Sequence, residues 1–246
     1  ADGLTKEESG SYDPNHPFAG RDPRMAMTII YPGMDWNGTV VNTLDKTING
    51  KDNANYPPSA NNASKTALTW RKYLDEQYAN GIWNTNACPI VIRYAEVLLT
   101  YAEAVNELSG PSADVYDKLD LIRGRVGMPK VDREKYASKE TLRRLIRRER
   151  GVELAGEGVR RADILRWKDD NGKMVAETVL NGVLERVVGT VNYAETDPTK
   201  RAEIDTNAPA TDKKIEDRVF KVHNRYNPIP QGAIDNNPNL EQNPGY

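Results

Sequence analysis

Cysteine, histidine and long apolar runs are scarce in this sequence, and each shortage excludes a class of protein. The single cysteine, Cys88, excludes an intramolecular disulfide framework, and we expect it to be a small buried hydrophobe. The histidines, His16 and His223, are isolated, and no HExxH, CxxC or EF-hand spacing is present, so we predict no metal site. Without a GxGxxG or P-loop motif we predict no cofactor either. No stretch approaches the apolar length of a transmembrane helix.

Excess charge of either sign is also lacking. Lysine and arginine number 34 against 36 aspartate and glutamate residues, which gives a formal net charge of −2. Such a chain has no overall field that attracts nucleic acid or anionic lipid. The mean hydropathy of −0.73, with 18 glycines and 15 prolines, indicates many irregular loops on a folded scaffold. The first eight residues are polar and have no signal-peptide character, so for an exported protein we expect the targeting segment to be missing from this chain.

Helical periodicity is concentrated in the middle of the chain. Residues 89–108 predict a helix whose first turn holds Pro89, and residues 112–126 predict a second one in an antiparallel helical hairpin. A third helix is expected over residues 138–156 with Ser138 as its N-cap, and a short one over residues 159–167. In the first helix Tyr94, Val97 and Tyr101 extend the apolar surface, so we expect both of its flanks to be packed.

The flanking regions carry little regular structure. We expect one domain over residues 1–246, with a loop-rich part (1–87), a helical core (88–168), and a loop excursion with an extended tail (169–246). Residues 25–31 fit a short strand or a helical turn, and their apolar, β-branched residues favour the strand; residues 67–73 are a weaker extended candidate. Residues 169–218 are polar and leave room for one β-hairpin. The Asn- and Pro-rich residues 227–246 are expected to lie extended over the core.

Arginine and glutamate alternate densely over residues 142–167. Because the signs are interleaved at helical spacing, the cluster favours ion pairs over a phosphate-binding surface. A glycosidase would use Glu149 and Glu153 as paired carboxylates. The flanking arginines favour the charged form of both, however, whereas a general acid needs a raised pKa. With no GxSxG nucleophile motif either, we predict no catalytic residues.

Aromatic side chains in loops are the remaining candidates for ligand binding. An aromatic plane stacks on the C–H face of a sugar ring, and neighbouring polar groups bond the hydroxyls. Trp36 between Asp35 and Asn37 has this composition, and Tyr56 and Trp83 also lie in loops. The alternative is that these aromatics anchor loops on the core. Trp70 and Trp167 lie in more regular segments, where we expect core positions.

Six segments in a fixed order carry a stronger signal than any motif alone. They are residues 18–24 (FAGRDPR), 92–104 (IRYAEVLLTYAEA), 121–127 (LIRGRVG), 148–167 (RERGVELAGEGVRRADILRW), 227–230 (NPIP) and 237–246 (NPNLEQNPGY). Together they resemble the C-terminal half of the SusD/RagB family of outer-membrane nutrient-binding lipoproteins, whose motifs they follow over nearly the whole chain. Gly151 and residues 155–156 depart from the family's usual arginine and aromatic residues, so packing is expected to differ there.

The resemblance implies a fold, a location and a partner. The expected fold is mainly α, with tetratricopeptide-like helical hairpins, long irregular loops and little β structure. The implied function is non-catalytic binding of an oligo- or polysaccharide at the cell-surface face of the outer membrane, for uptake through a SusC-like TonB-dependent transporter. Membrane contact is expected only through a lipid anchor that this chain lacks. Ligand binding is assigned to Trp36, Asp35, Asn37, Tyr56 and Trp83.

The resemblance also changes the interpretation of the charged cluster. We expect a partly buried ion-pair network that ties the helical hairpin to the third helix, formed by Arg93, Glu96, Glu103, Arg123, Glu149, Arg160 and Arg166. Two alternative functions remain open: a protein-interaction scaffold, and a peptide-binding component of the same kind of transport complex. Glycan binding should change tryptophan fluorescence, whereas a scaffold should show only affinity for a protein partner.

Overall fold

The chain forms two units, each with its own internal contacts. A computed structural model describes residues 2–58, 62–78 and 88–246. The first unit comprises residues 1–158 and 186–213, and the second comprises residues 159–185 and 214–246. The described helices are not long and apolar enough to cross a membrane.

Three long helices form the core of the first unit: α2 (Tyr94–Ser109), α3 (Ala113–Gly124) and α4 (Lys139–Glu153). The helix α2 packs against both α3 and α4. Fully or almost fully buried aliphatic side chains fill the space between them: Leu98, Leu99, Ala102, Val115, Leu119, Ile122, Leu142, Leu145 and Ile146. The predicted fold class is confirmed, because the chain is mainly helical with tetratricopeptide-like helical hairpins, long irregular loops and short strands.

The N-caps of α3 and α4 follow their sequence signals, but the start of α2 does not. The Ser112 hydroxyl accepts the N–H of Val115, and Ser138 and Thr141 form a reciprocal capping box. The prediction that Pro89 lies in the first turn of α2 is wrong, because the helix begins at Tyr94. The residue before it, Arg93, is extended with φ −139° and ψ 160°, and its guanidinium bonds carboxylates beside α4. Those contacts hold the backbone out of the helix.

The prediction that both flanks of α2 are packed is also wrong. Tyr94, Val97 and Tyr101 are 72%, 52% and 45% exposed. The reason is that the buried positions of α2, including Leu98, Leu99 and Ala102, lie on the other side of the helix.

The loop-rich part of the first unit folds around a second apolar cluster. A short helix, α1 (Arg24–Thr28), leads into β1 (Ile29–Ile30), so the strand predicted over residues 25–31 is correct only at its end. The strand β1 pairs antiparallel with β6 (Thr69–Trp70), which lies inside the predicted extended segment. Two further hairpins are β2–β3 (Asp35–Trp36, Thr39–Val40) and β4–β5 (Thr47–Ile48, Lys51–Asp52). A 3₁₀ turn covers Glu76–Tyr78.

The apolar cluster is built from distant parts of the sequence. It contains Phe18, Ile30, Tyr31, Met34, Leu44, Ala67, Val191 and Ala202. The rings of Phe18 and Tyr31 stack with their centroids 4.7 Å apart. The last two members belong to the hairpin of β8 (Gly189–Val191) and β9 (Ala202–Ile204), so the hairpin expected in the excursion is present. A single turn of helix, α7 (Ala210–Lys213), follows it.

The second unit has a small core of its own. It contains α5 (Arg160–Arg166), α6 (Val175–Val179), β7 (Gly182–Glu185) paired antiparallel with β10 (Lys214–Arg218), a 3₁₀ turn (Val222–Arg225) and α8 (Gln231–Asn236). Ile164, Trp167, Ala176 and Phe220 are buried together, so the core position predicted for Trp167 is confirmed. The tail expected to be extended contains α8, and the Gln242 amide exchanges two hydrogen bonds with the backbone of Ile229.

Two side chains predicted to be buried are on the surface. Cys88 is exposed, six residues before the start of α2. Trp70 is 55% exposed, because the β1–β6 ladder is only two residues long and ends there. Its indole lies against Gly156, where an added Cβ would be 3.4 Å from the ring. Gly156 has φ +75°, a conformation that favours glycine, and the absent side chain leaves room for the indole.

Candidate functional site

The candidate ligand site is the tip of the β2–β3 hairpin. Asn37 and Gly38 form its turn with φ values of +49° and +72°. Positive φ at both central residues is the type I′ geometry, whose twist matches the two strands and which favours the Asn-Gly dipeptide. The turn therefore fixes Asp35 and Trp36 on one arm of a short, tightly wound hairpin.

Trp36 is half-buried at this tip. Its indole packs against the apolar cluster of the first unit. The Arg71 guanidinium lies over the ring, 5.1 Å from its centroid, and also donates a 2.7 Å hydrogen bond to the backbone carbonyl of Ala26. A cation over the indole face in this position is attracted by the ring quadrupole. Trp36 is thus both anchored to the core and part of the surface.

The carboxylate of Asp35 is held from one side only. Arg201 Nη1 lies 2.6 Å from Oδ1 and also donates to the Gly33 carbonyl at 3.1 Å. The Asp35 side chain remains 60% exposed, whereas that of Arg201 is 13% exposed. Among the described residues none donates a hydrogen bond to Oδ2, which leaves one carboxylate oxygen facing outward as an acceptor.

Asn37 presents a second unsatisfied polar group. Its backbone N–H donates to Glu76 Oε1, so the hairpin tip is attached to the 3₁₀ turn. Its side-chain amide makes no hydrogen bond with any residue in the described ranges, and an amide offers two donors and an acceptor. A half-exposed indole, a carboxylate oxygen and an amide therefore lie on three consecutive residues.

The other two predicted ligand residues do not add to this geometry. Tyr56 is half-buried in a turn held by the Asn53 carbonyl, and the Arg186 guanidinium lies 5.6 Å from its ring centroid. Trp83 falls outside the described residues. The assignment of ligand binding to these five positions stays a prediction.

The predicted ion-pair network lies at the C-terminal end of α4. Glu149, Glu153 and Glu157 recur at every fourth position, and their side chains are 3%, 1% and 4% exposed. Each contacts at least two cations, as buried carboxylates require. Glu153 binds Arg24 (3.1 Å), Arg93 (2.7 Å) and Arg125 (2.8 Å). Glu149 binds Arg123 (2.5 Å) and Arg24 (2.8 Å). Glu157 binds Lys72 (2.5 Å) and Arg93 (2.6 Å).

Two arginines join these pairs into one chain of contacts. Arg24 bridges Glu149 and Glu153, and Arg93 bridges Glu153 and Glu157. At Glu149 Oε2 the contact with Arg24 has ion-pair distance but not hydrogen-bond geometry, so the attraction there is ionic. The network connects α1, the segment before α2 and the end of α4.

The network keeps Glu153 and Glu157 charged. Burial disfavours the charged form of Glu153, yet hydrogen bonds from Arg93 and Arg24 outweigh it and lower the pKa of Glu153. The pKa of Glu157 is lowered in the same way, by hydrogen bonds from Arg93 and Lys72 against the effect of burial. A carboxylate held in this state cannot serve as the proton donor of a glycosidase.

The residues predicted for the network divide into three groups. Arg93, Arg123 and Glu149 lie in it, and Glu103 approaches Arg150 at 3.7 Å between α2 and α4. Glu96 makes no ion pair with the described residues. Arg160 and Arg166, also placed there by the sequence analysis, lie instead in the second unit. Their guanidiniums are 5.8 and 5.2 Å from the ring centroid of Trp167.

Several residues central to both sites were not predicted from the sequence. Arg24, Glu153 and Glu157 belong to the network, and Arg71, Glu76 and Arg201 surround the hairpin. The regular spacing of Glu149, Glu153 and Glu157 could have revealed the other two glutamates. No local signal reveals Arg24, which contacts Glu153 across 129 positions of sequence.

Comparison with known proteins agrees with this architecture. The model of the SusD family matches residues 1–246, so the chain belongs to the SusD family. A SusD-like carbohydrate-binding protein of Bacteroides fragilis NCTC 9343 superposes with a TM-score of 0.70 and 31% identity, covering 95% of this chain and 44% of its own. A second SusD-like protein of that organism gives a TM-score of 0.67 and 26% identity over 94% of this chain and 40% of its own.

A curated relative extends the comparison beyond solved structures. SusD-like protein P25 of Formosa agariphila is 34% identical over 154 residues, which are 58% of this chain and 29% of the relative. The chain therefore spans less than half the length of these relatives.

Proposed function

We propose that this chain binds an oligo- or polysaccharide at the tip of the β2–β3 hairpin without cleaving it. The observation that carries the proposal is the combination at three consecutive residues of a half-buried indole, a carboxylate oxygen and an amide, the last two without hydrogen bonds to the residues that the structure describes. The indole supplies an apolar plane for the C–H face of a sugar. Asp35 and Asn37 supply hydrogen bonds to hydroxyls.

Family membership supports the same ligand class. The solved relative with 31% identity is described as a carbohydrate-binding protein. By its resemblance to the SusD/RagB family, we place the protein at the cell-surface face of the outer membrane as a lipid-anchored component. There it hands the glycan to a SusC-like TonB-dependent transporter.

The arrangement of carboxylates supports a non-catalytic role. Glu149 and Glu153 are the pair that a glycosidase would use, and both are buried against arginines. No sugar ring reaches between them while those contacts are made. Among the described residues, no group of three or more His, Cys, Asp or Glu is placed to hold a metal ion.

The test is a binding and cleavage assay on the same mixtures. The protein is titrated with host, plant and microbial polysaccharides, and each mixture is assayed for released reducing sugar. We expect at least one polysaccharide to bind with no release, and Trp36→Ala to weaken that binding by at least about tenfold, or ~1.4 kcal/mol. Trp70→Ala is the matched control, because it removes another exposed indole of the same unit and is expected to leave the affinity unchanged.

Three outcomes contradict the proposal. Released sugar overturns the non-catalytic role, and an unchanged affinity in Trp36→Ala overturns the assignment of the site. Absence of binding across the panel overturns the ligand class and favours a peptide ligand or a scaffold.

A further inference from the structure

A cavity of about 240 Å³ opens in the first unit between α1, the C-terminal ends of α3 and α4, and the residue before α2. Sites that enclose a whole small molecule measure ~300–1,000 Å³, so this cavity has room for one substituent of a larger ligand. Its charged residues, here called the cationic pocket, are Arg24, Lys72, Arg93, Arg125, Glu153 and Glu157. Four cations therefore line it with two carboxylates, an excess of two positive charges.

Both carboxylates of the cationic pocket are already engaged. Glu153 Oε1 accepts hydrogen bonds from Arg93 and Arg125, and its Oε2 accepts from Arg24 and Arg125. The two oxygens of Glu157 accept from Lys72 and Arg93. Since each carboxylate oxygen has a donor, the charged groups of the pocket have N–H groups left to offer a ligand.

The free N–H groups are concentrated on Arg125. Its Nη2 donates to both oxygens of Glu153 at 2.8 and 3.0 Å, which fixes the guanidinium in place. A guanidinium has five N–H donors, and the three on Nε and Nη1 make no hydrogen bond within the described part of the chain. The side chain is 55% exposed, so these donors are open to a ligand.

The other cations contribute mainly charge. Lys72 Nζ donates to Glu157 and to the carbonyls of Glu153 and Ala155, which uses all three of its donors. Its charge and that of Arg93 remain beside the opening, because their side chains are 21% and 23% exposed. An anionic oxygen gains most from such a site, since charge-assisted hydrogen bonds are about twice as strong as neutral ones.

The cationic pocket shares a wall with the β2–β3 hairpin. The backbone N–H groups of Arg71 and Lys72 both donate to the Thr28 carbonyl, at 2.9 and 3.2 Å. The Arg71 guanidinium lies over the Trp36 indole, whereas the Lys72 ammonium lies in the pocket. Two consecutive residues thus separate the indole from the pocket. A polysaccharide continues past the ring that stacks on Trp36, so a substituent further along it can enter the pocket.

We propose that the cationic pocket binds the carboxylate or sulfate group of an acidic polysaccharide, with Arg125 as its main donor. This inference rests on the glycan binding proposed for the hairpin and narrows the ligand to polysaccharides that carry anionic groups. Trp36 then holds the apolar face of one sugar, and Arg125 selects for charge on another.

Matched pairs of polysaccharides test the proposal. The protein is titrated at fixed ionic strength with polygalacturonate and alginate, each beside its carboxyl-reduced form, and with carrageenan beside its desulfated form. Each pair has the same backbone with and without charge, so the pairs also distinguish a carboxylate from a sulfate ester. We expect at least one acidic form to bind at least about tenfold more tightly than its neutral counterpart. In Arg125→Ala we expect that preference to fall below about twofold.

Arg133→Ala is the matched control for charge. Arg133 belongs to the same unit and its side chain is 51% exposed, close to the 55% of Arg125, but it pairs with Asp117 outside the pocket. We expect this variant to keep the preference for the acidic form. Arg125→Ala should keep its melting temperature within a few degrees, because Glu153 retains Arg24 and Arg93.

Several results would overturn the proposal. They are equal affinities for the acidic and neutral forms, a preference that survives in Arg125→Ala, equal losses in Arg125→Ala and Arg133→Ala, and no binding of any acidic polysaccharide. Trp36→Ala separates this proposal from the hairpin site. If only neutral forms bind and Trp36→Ala weakens them, the hairpin site stands and the acidic ligand is wrong. If Arg125→Ala weakens an acidic polysaccharide that Trp36→Ala binds normally, the pocket stands and the hairpin assignment is wrong.

Discussion

The ion-pair network at the end of α4 and the β2–β3 hairpin both pair carboxylates with arginines, but in opposite environments. In the network, three glutamates are 1–4% exposed at their side chains and each contacts two or three cations. At the hairpin, Asp35 is 60% exposed and, within the described ranges, contacts one cation, Arg201. The network pairs its charges with one another, whereas the polar groups of the hairpin are open to solvent.

This difference separates stability from recognition. Removing one partner of a buried pair leaves an uncompensated charge and costs about 3–5 kcal/mol. An exposed pair contributes only ~0–1 kcal/mol, because solvent replaces the lost partner. A region can therefore change its ligand contacts at low cost only if its charges are exposed. The hairpin meets that condition and the network does not.

The largest effect is expected from Glu149→Ala. The substitution leaves Arg123 and Arg24, whose side chains are both 5% exposed, without a shared carboxylate. We expect the free energy of unfolding of the first unit to fall by about 3–5 kcal/mol, measured by urea denaturation.

A matched control uses an exposed ion pair of the same unit. Asp117→Ala removes the nearer of two carboxylates paired with Arg133, where the side chains of Asp117 and Arg133 are 62% and 51% exposed, and is expected to cost less than about 1 kcal/mol. Equal losses in the two variants, or unchanged stability in Glu149→Ala, would show that the network does not stabilise the fold.

Acid should weaken the network. The pKa values of Glu153 and Glu157 are lower in the folded chain than their ordinary value of 4.5. Such groups stabilise the fold above the unfolded pKa, and this contribution is lost as the pH falls through the folded pKa. We expect stability to fall as the pH drops below about 4.5, by ~1.4 kcal/mol for each unit of pKa difference per group.

Urea midpoints between pH 7 and pH 3 measure this dependence. Glu157→Gln keeps the shape of the side chain but removes one of the two titrating groups, so its acid-induced loss should be smaller than that of the parent protein. If the variant and the parent lose stability in parallel, the pH dependence arises elsewhere in the chain.

The helical core was predictable from sequence because its signals are local. Ser112 and Ser138 cap helices that begin at the next residue, and the buried positions of α4 follow from 3.6-residue periodicity. The start of α2 was missed because Pro89 is a local signal for a first helical turn. The long-range ion pairs that hold Arg93 extended give no local signal. The exposure of Tyr94, Val97 and Tyr101 on α2 was missed because apolar side chains at helical spacing predict a buried face.

The candidate site was predictable only in its aromatic centre. Trp36 with its polar neighbours is visible in a short stretch of sequence, and the Asn-Gly pair signals the hairpin turn. Arg71 and Arg201 reach the same place through tertiary contacts that no spacing reveals. Trp70 shows the same limit: its indole is exposed at the end of a two-residue ladder and lies against Gly156, 86 positions away, a contact that no local pattern reveals.

The smallest effect on stability, with a measurable effect on binding, is expected from Asp35→Asn. The change removes the charge opposite Arg201, which keeps its hydrogen bonds to the carbonyls of Gly33 and Glu195 at 3.1 and 2.9 Å. Since the Asp35 side chain is mostly exposed, the free energy of unfolding should change by less than about 1 kcal/mol. The affinity for the bound polysaccharide should fall about tenfold, or ~1.4 kcal/mol, because a neutral amide oxygen accepts a weaker hydrogen bond than a carboxylate.

Titration calorimetry measures that change against Asp217→Asn, which neutralises an equally exposed carboxylate paired with Lys214 in the second unit. If both variants bind as tightly as the parent protein, the outward oxygen of Asp35 takes no part in holding the sugar, and recognition at the hairpin depends on Trp36 and Asn37.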